Sequence, residues 1–273
     1  MNKAIVHIII ISLLSLFAGV KGDAQIDSSF HFFKRYDYDI VSFAVSNTGE
    51  IYFITQDNQL KKFDEKGDSV GVFNDVTSYG ELSSVEADNP WRTILFYKNF
   101  STIVLLDKYL KVLTNINLRK NNIFRVNAIA PSYDNNTWVF DEQESKLRKI
   151  DDEGKILMET NDLRTLFDTV PSPVQIVDRD GFVYLYDPLK GVYIFDYYGT
   201  YKNKLTFLHW KNIFVNGKFI YGFDDRNFYV YKSNSLDVKQ FPLPENFVGY
   251  TSLKISQGKI YLLKNNRLQV YTF

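Results

Sequence analysis

The run Asp178-Arg179-Asp180-Gly181-Phe182-Val183-Tyr184-Leu185-Tyr186-Asp187-Pro188-Leu189-Lys190-Gly191-Val192-Tyr193-Ile194-Phe195-Asp196-Tyr197-Tyr198-Gly199 carries the plan of the chain. It opens on an Asp-Gly turn and continues as an apolar, aromatic-rich strand. It turns at Pro188-Leu189, returns as a third strand and ends on Phe195-Asp196 followed by a glycine turn. A run this short and this apolar, bounded by turn formers, reads as a strand buried on both faces.

The same plan recurs. Hairpin turns fall at Asp57-Asn58, Lys98-Asn99, Glu142-Gln143, Pro188-Leu189, Asp225-Arg226 and Asn265-Asn266, at steps of 41, 44, 46, 37 and 40 residues. Apolar strands precede them at Ile51-Tyr52-Phe53-Ile54, Thr93-Ile94-Leu95-Phe96, Trp138-Val139-Phe140 and Ile260-Tyr261-Leu262-Leu263, among others. Units of about forty residues, each with four short strands, predict an all-β, six-bladed β-propeller. The sixth unit runs out one strand short at Phe273. The spare strand lies in residues 28–35, where Phe30 and Phe32 alternate with polar neighbours. The last blade is therefore expected to be closed by the N-terminal strand, which leaves no raw sheet edge in the ring.

Third strands end on Phe63-Asp64, Leu106-Asp107, Ile150-Asp151 and Phe195-Asp196, and three of these aspartates lead into Asp-x-x-Gly turns. Asp accepts backbone N–H bonds there and Gly supplies the positive φ, so these acids read as turn formers rather than metal ligands. Asp178-Arg179-Asp180-Gly181 resembles the start of a calcium loop but lacks the later acids such a loop requires, and also reads as a turn.

Residues 1–24 combine Lys3, an apolar stretch from Ala4 to Val20 and small residues before Gln25, which reads as a secretory signal cleaved after Ala24 or Gly22. Residues 25–273 then form a single domain exported to the periplasm and peripherally associated with the outer membrane. The chain has no Cys, which excludes a disulfide framework and thiolate chemistry. Removing Lys3, Lys21 and Asp23 leaves 30 basic and 31 acidic residues, and a net charge near −1 provides no footprint for nucleic acid.

Catalytic signals are sparse. Beyond the signal only His31 and His209 remain, neither in a motif, and no phosphate loop, HExxH or dinucleotide fingerprint is present. No catalytic, metal or cofactor residue is assigned. Carboxylates could converge on the channel from Glu81, Glu86, Asp88, Asp134, Asp178 and Asp180. They support an alternative reading as a carbohydrate-active or ester-hydrolysing enzyme with a carboxylate or calcium centre there. An outer-membrane β-barrel is a third reading, opposed by the failed alternation at Arg267 and Gln269.

Binding is expected on the face that carries the inter-blade loops, at residues 74–81, 119–125, 161–173, 209–211 and 242–250, because loops carry function and sheets position them. Partner-binding candidates are Tyr79, Phe124, Arg125, Arg164, Leu166, Phe167, Trp210 and Phe247, a mix of aromatic and Arg side chains typical of hot spots. Residues 161–167 are expected to form a short capped helix, with Asn161 or Asp162 as the cap.

The repeated turn-Gly-apolar pattern and the Phe-Asp-x-x-Gly turns at Phe63 to Gly67 and Phe195 to Gly199 resemble the six-bladed NHL and YncE-like propellers. In particular they look like small secreted propellers of Gram-negative bacteria with type 9 secretion. The resemblance implies a non-enzymatic protein-interaction module that docks on an outer-membrane or periplasmic protein complex, such as an accessory or plug subunit of a type 9 protein secretion translocon. It transfers no functional residue.

Overall fold

The computed structural model describes residues 30–272, so the signal reading and its cleavage site lie outside the described residues. Six sheets of four antiparallel strands stand in a ring. In the first five blades the strands follow one another from the channel outward. Their innermost strands are Ile40–Val45, Ser84–Glu86, Val126–Pro131, Gln175–Arg179 and Asn212–Asn216. In the sixth blade Ser252–Ser256 is innermost, Lys259–Lys264 and Arg267–Thr272 follow, and the N-terminal strand His31–Tyr36 is the outermost. The expected closure is therefore present. The barrel reading is overturned, because the strands form six separate sheets and not one closed wall.

The apolar runs form the second strands. Ile51–Thr55, Thr93–Tyr97 and Thr137–Asp141 are buried along their whole length, since a sheet in a ring has a neighbour on both faces. The buried apolar residues divide into six clusters, one for each junction between blades. At the closing junction Tyr36 joins Phe53 and Phe63, with ring centroids 5.9 and 5.1 Å away, and residues from blade 6 such as Tyr261 and Leu263. The pairing of His31–Tyr36 with Arg267–Thr272 carries an irregularity between Phe32 and Lys34. It leaves both Phe32 and Phe33 exposed, where strict alternation would bury one of them.

The outer turns follow their predicted chemistry. Asp64, Asp151 and Asp196 each accept two backbone N–H bonds through one carboxylate oxygen, at 2.8–3.0 Å. Gly67, Gly154 and Gly199 take φ between 80° and 86°. Asp107 does the same in the fourth turn, accepting from Tyr109 and Lys111, but Leu110 occupies the glycine position at φ 64°. Leu110 is retained because its side chain is buried in the junction between blades 1 and 2.

Closure makes a specific demand on Tyr36. Tyr36→Ala is expected to lower the unfolding free energy by about 3–5 kcal/mol, as for other large aromatic truncations in a packed core, and urea denaturation would measure it. Phe32→Ala, at an exposed position on the same strand, is expected to change it by under about 1 kcal/mol.

Candidate functional site

The inter-blade loops carry the predicted interaction face, and each ties itself down with an apolar plug. Residues 161–167 contain the expected capped turn as the 3-10 helix Leu163–Thr165, with the Asp162 carboxylate accepting from Arg164 N. Leu163 is fully buried beneath it. Val76–Tyr79 forms a short α-helix within the expected loop at residues 74–81, capped by Asp75. Leu118–Asn121 and Glu245–Phe247 are further 3-10 turns.

The eight predicted contact residues separate by depth. Trp210 and Phe247 are corrections, because the structure buries both. Trp210 stacks between Phe207 and Tyr229 at 4.4 and 4.9 Å. It lies so close to Gly222 that a Cβ there would stand 1.9 Å from the indole. Phe247 packs on Phe30 and Tyr271 at 5.3 and 5.0 Å. Tyr79 and Phe167 are half-buried plugs, Tyr79 on Tyr97 and Phe167 on Tyr193 and Tyr201. Phe124, Arg125, Arg164 and Leu166 are exposed. Arg164 is held by Asp162 in its own turn and Arg125 reaches Glu142 at 3.5 Å.

Sequence reasoning missed the apolar neighbours of these four. Phe100, Val174 and Leu189 are also exposed, and Leu189 is 72% accessible. All three belong to blades 2 and 4, on turns between second and third strands or at the start of an inner strand, and so share the face with Phe124 and Leu166. Their signal was an apolar residue placed at a turn tip, where nothing in the strand pattern required one.

The channel acids are mostly committed to the scaffold. Asp178 braces blades 3 and 4: Oδ2 accepts from Trp138 Nε1 at 2.7 Å, Ser132 Oγ at 3.0 Å and Tyr133 N at 3.2 Å, and Oδ1 accepts from Tyr197 OH at 2.6 Å. Asp134 pairs with Lys149 at 2.7 Å, which holds its carboxyl below the usual range against the cost of burial. Asp180 accepts from Gly217 N of blade 5 at 2.8 Å, and Glu81 is exposed away from the channel strands. Asp88 meets Arg179 at 3.4 Å. That pair joins blades 2 and 4 across the front of blade 3, so the two side chains span the channel mouth.

Glu86 stands apart. It is on the inner strand of blade 2, closely surrounded by protein, and desolvation raises its pKa to about 7, with Asp88 adding to the rise and Lys254 on the inner strand of blade 6 opposing it. Among the described residues no group of three or more acids or histidines could hold a metal ion, and no helix is long and apolar enough to cross a membrane.

These contacts set two tests. Asp178→Ala strands the buried Trp138 indole N–H and is expected to cost about 3 kcal/mol, read by urea denaturation. Asp178→Asn, which keeps an acceptor, should cost less. Glu86 holds its proton in the folded chain over a range where an unfolded Glu has lost it. Stability from that group is full below an unfolded pKa near 4.5 and is lost as pH rises through about 7. Melting temperature should therefore fall between pH 5 and pH 8, and Glu86→Gln should flatten that fall.

No protein-family model and no curated protein sequence matches the chain. Among solved structures, a streptogramin B lyase is similar with a TM-score of 0.62 and 15% identity, covering 86% of this chain and 80% of its own. Virginiamycin B lyase from Staphylococcus aureus gives 0.60 and 13%, covering 87% and 81%. The Pan2 WD40 domain from Neurospora crassa gives 0.63 and 10%, covering 92% and 97%. At these identities the likeness is one of fold: two lyases and a WD40 domain share the architecture, and the chain is a six-bladed β-propeller of that general type.

Proposed function

We propose that the chain is a protein-interaction module that docks through its inter-blade-loop face. The observation that carries this reading is the band of exposed apolar tips on three consecutive blades: Phe100 on blade 2, Phe124 between blades 2 and 3, Leu166 between blades 3 and 4, and Val174 and Leu189 on blade 4. The other inter-blade loops each expose one less accessible apolar residue, Tyr38, Val76, Leu208 and Val248 at 37–43%, beside plugs such as Trp210 and Phe247 that turn inward. Single exposed apolar residues need no explanation, but five clustered on one face, with Arg125 and Arg164 beside them, have the composition of an interface core and rim. The backbone beneath is fixed by capped turns and buried plugs, so little ordering entropy would be lost on docking.

The finer reading places the partner in the cell envelope and makes the chain a peripheral subunit in the periplasm, for example an accessory or plug subunit of a type 9 translocon. It is supported by the export signal read in residues 1–24 and by the resemblance in length to such propellers. An enzymatic role centred on the channel is less well supported, because five of the six candidate carboxylates are paired within the scaffold or stand away from it.

A tag inserted beside the fully exposed Leu236, on the opposite face, leaves both the closure and the docking band intact. Affinity purification from the native envelope in mild detergent is expected to recover a membrane or periplasmic protein in stoichiometric amount. Phe124→Ser combined with Leu166→Ser should reduce that recovery at least about tenfold, in line with loss of interface anchors, with the melting temperature unchanged. Recovery of the propeller alone, or equal recovery by the double variant, would overturn the docking face.

A further inference from the structure

The face opposite the docking band holds a groove between blades 3 and 4, with a volume of about 460 Å³, lined by Tyr133, Lys149, Met158, Gly181, Tyr197 and Tyr198 among others. That volume lies within the range of roughly 300–1,000 Å³ usual for small-molecule sites. The corresponding clefts at three other junctions are crossed by long basic side chains. Arg92 spans blades 2 and 3 to reach Thr137 and Asp152, Lys62 reaches Lys108 O across blades 1 and 2, and Lys34 caps Gly67 at the closing junction. At the rim of the groove between blades 3 and 4, Gly181 of blade 4 leaves open space, since a Cβ there would meet nothing within 4 Å.

Its walls are aromatic and pre-ordered. Tyr133 and Tyr197 are stacked, with centroids 4.4 Å apart and planes 8° from parallel. Asp178 holds both in place, through Tyr133 N and Tyr197 OH, and Gly181 N donates to Tyr197 OH at 3.3 Å. Tyr198 projects at the rim, 87% exposed. The charges of the groove are already neutralised in pairs. Lys149 binds Asp134 at 2.7 Å and lies 5.5 Å from the Tyr133 ring centre, and Lys202 binds Asp196 at 2.8 Å. Asp178 has spent its oxygens on four donors. An ionic ligand would find no uncompensated partner of either sign. A ligand with one C–H-rich face and a hydroxylated edge would find aromatic surface to lie on and paired polar groups at its margin.

We infer that this groove binds a neutral oligosaccharide, with a sugar ring seated against Tyr133 and Tyr198 and its hydroxyls directed to Lys149 and Asp196. The site stands on the opposite face from the docking band, so it holds or fails independently of the proposed partner.

The test is to screen the full mature chain on an array of neutral oligosaccharides, including β-1,4-glucan, chitin, xylan, α-glucan and galactan fragments. Binders are then titrated by calorimetry against the native chain, Tyr133→Ala, Tyr198→Ala and the opposite-face control Leu166→Ser. All three substituted side chains are exposed, and melting temperature checks that each variant folds. At least one neutral series is expected to bind. Affinity should fall about tenfold in each Tyr variant, stay unchanged in Leu166→Ser, and be insensitive to added salt because no ion pair is formed. The proposal is overturned if no neutral oligosaccharide binds at millimolar concentration, if the Tyr variants bind as the native chain does, or if only charged glycans bind and salt removes them.

Discussion

The pairing of His31–Tyr36 with Arg267–Thr272 is the constraint on which the molecule depends. Six wedge-shaped sheets bury their faces only if each has a neighbour on both sides, and the chain's two ends are what convert a row into a ring. The pairing also completes the cluster in which Tyr36 from the first strand, Phe53 and Phe63 from blade 1 and Tyr261 from blade 6 meet. Without it that junction would expose aromatic surface on both blades. The consequence is topological: a fold made of local hairpins acquires, at its closing junction, contacts between the two ends of the chain.

A ring built this way has two chemically different faces. Turns between third and fourth strands in blades 1, 3 and 4 are short and run on Asp and Gly, with the Asp carboxylate holding the backbone. Connections between blades must travel from an outer strand back to the channel. They are longer, and they compensate by dropping apolar plugs into the junctions below. Exposed apolar residues on that face are what remains after the plugs are placed, which gives Phe124 and Leu166 a different meaning from Trp210 and Phe247 although all four read alike in sequence.

Most of the fold was legible because its signals are local. Second strands, turn aspartates and turn glycines each announce themselves within five residues, and counting strands from Phe273 exposed the missing partner in residues 28–35. What was not legible is contact across blades. Asp178 looked like a channel acid because sequence cannot show that Trp138 and Tyr197, 40 and 19 residues away, converge on it. Trp210 looked exposed because the space it fills is created by the missing side chain of Gly222. Leu110 broke the Asp-x-x-Gly rule, and only its burial explains why a non-glycine residue is kept at positive φ there. The aromatic groove was missed for the same reason: Tyr133 and Tyr197 belong to turns of different blades, 64 positions apart.

Most of the candidate channel acids of this propeller serve as structural joints. A general acid or base needs a free oxygen near the reacting atoms and a pKa set for proton transfer. Here Asp178, Asp134 and Asp180 are spent joining one blade to the next or pinning a turn, which rigidifies the ring and at the same time removes them as reactive groups. Among the described residues, Glu86 combines a place on an inner strand with a carboxyl shifted toward neutrality, opposed by Lys254. Rigid faces with pre-paired charge lose little entropy and little solvation when something neutral lies against them. The same side-chain pairing that closes the junctions therefore leaves surfaces suited to binding, one formed by apolar tips and the other by stacked rings.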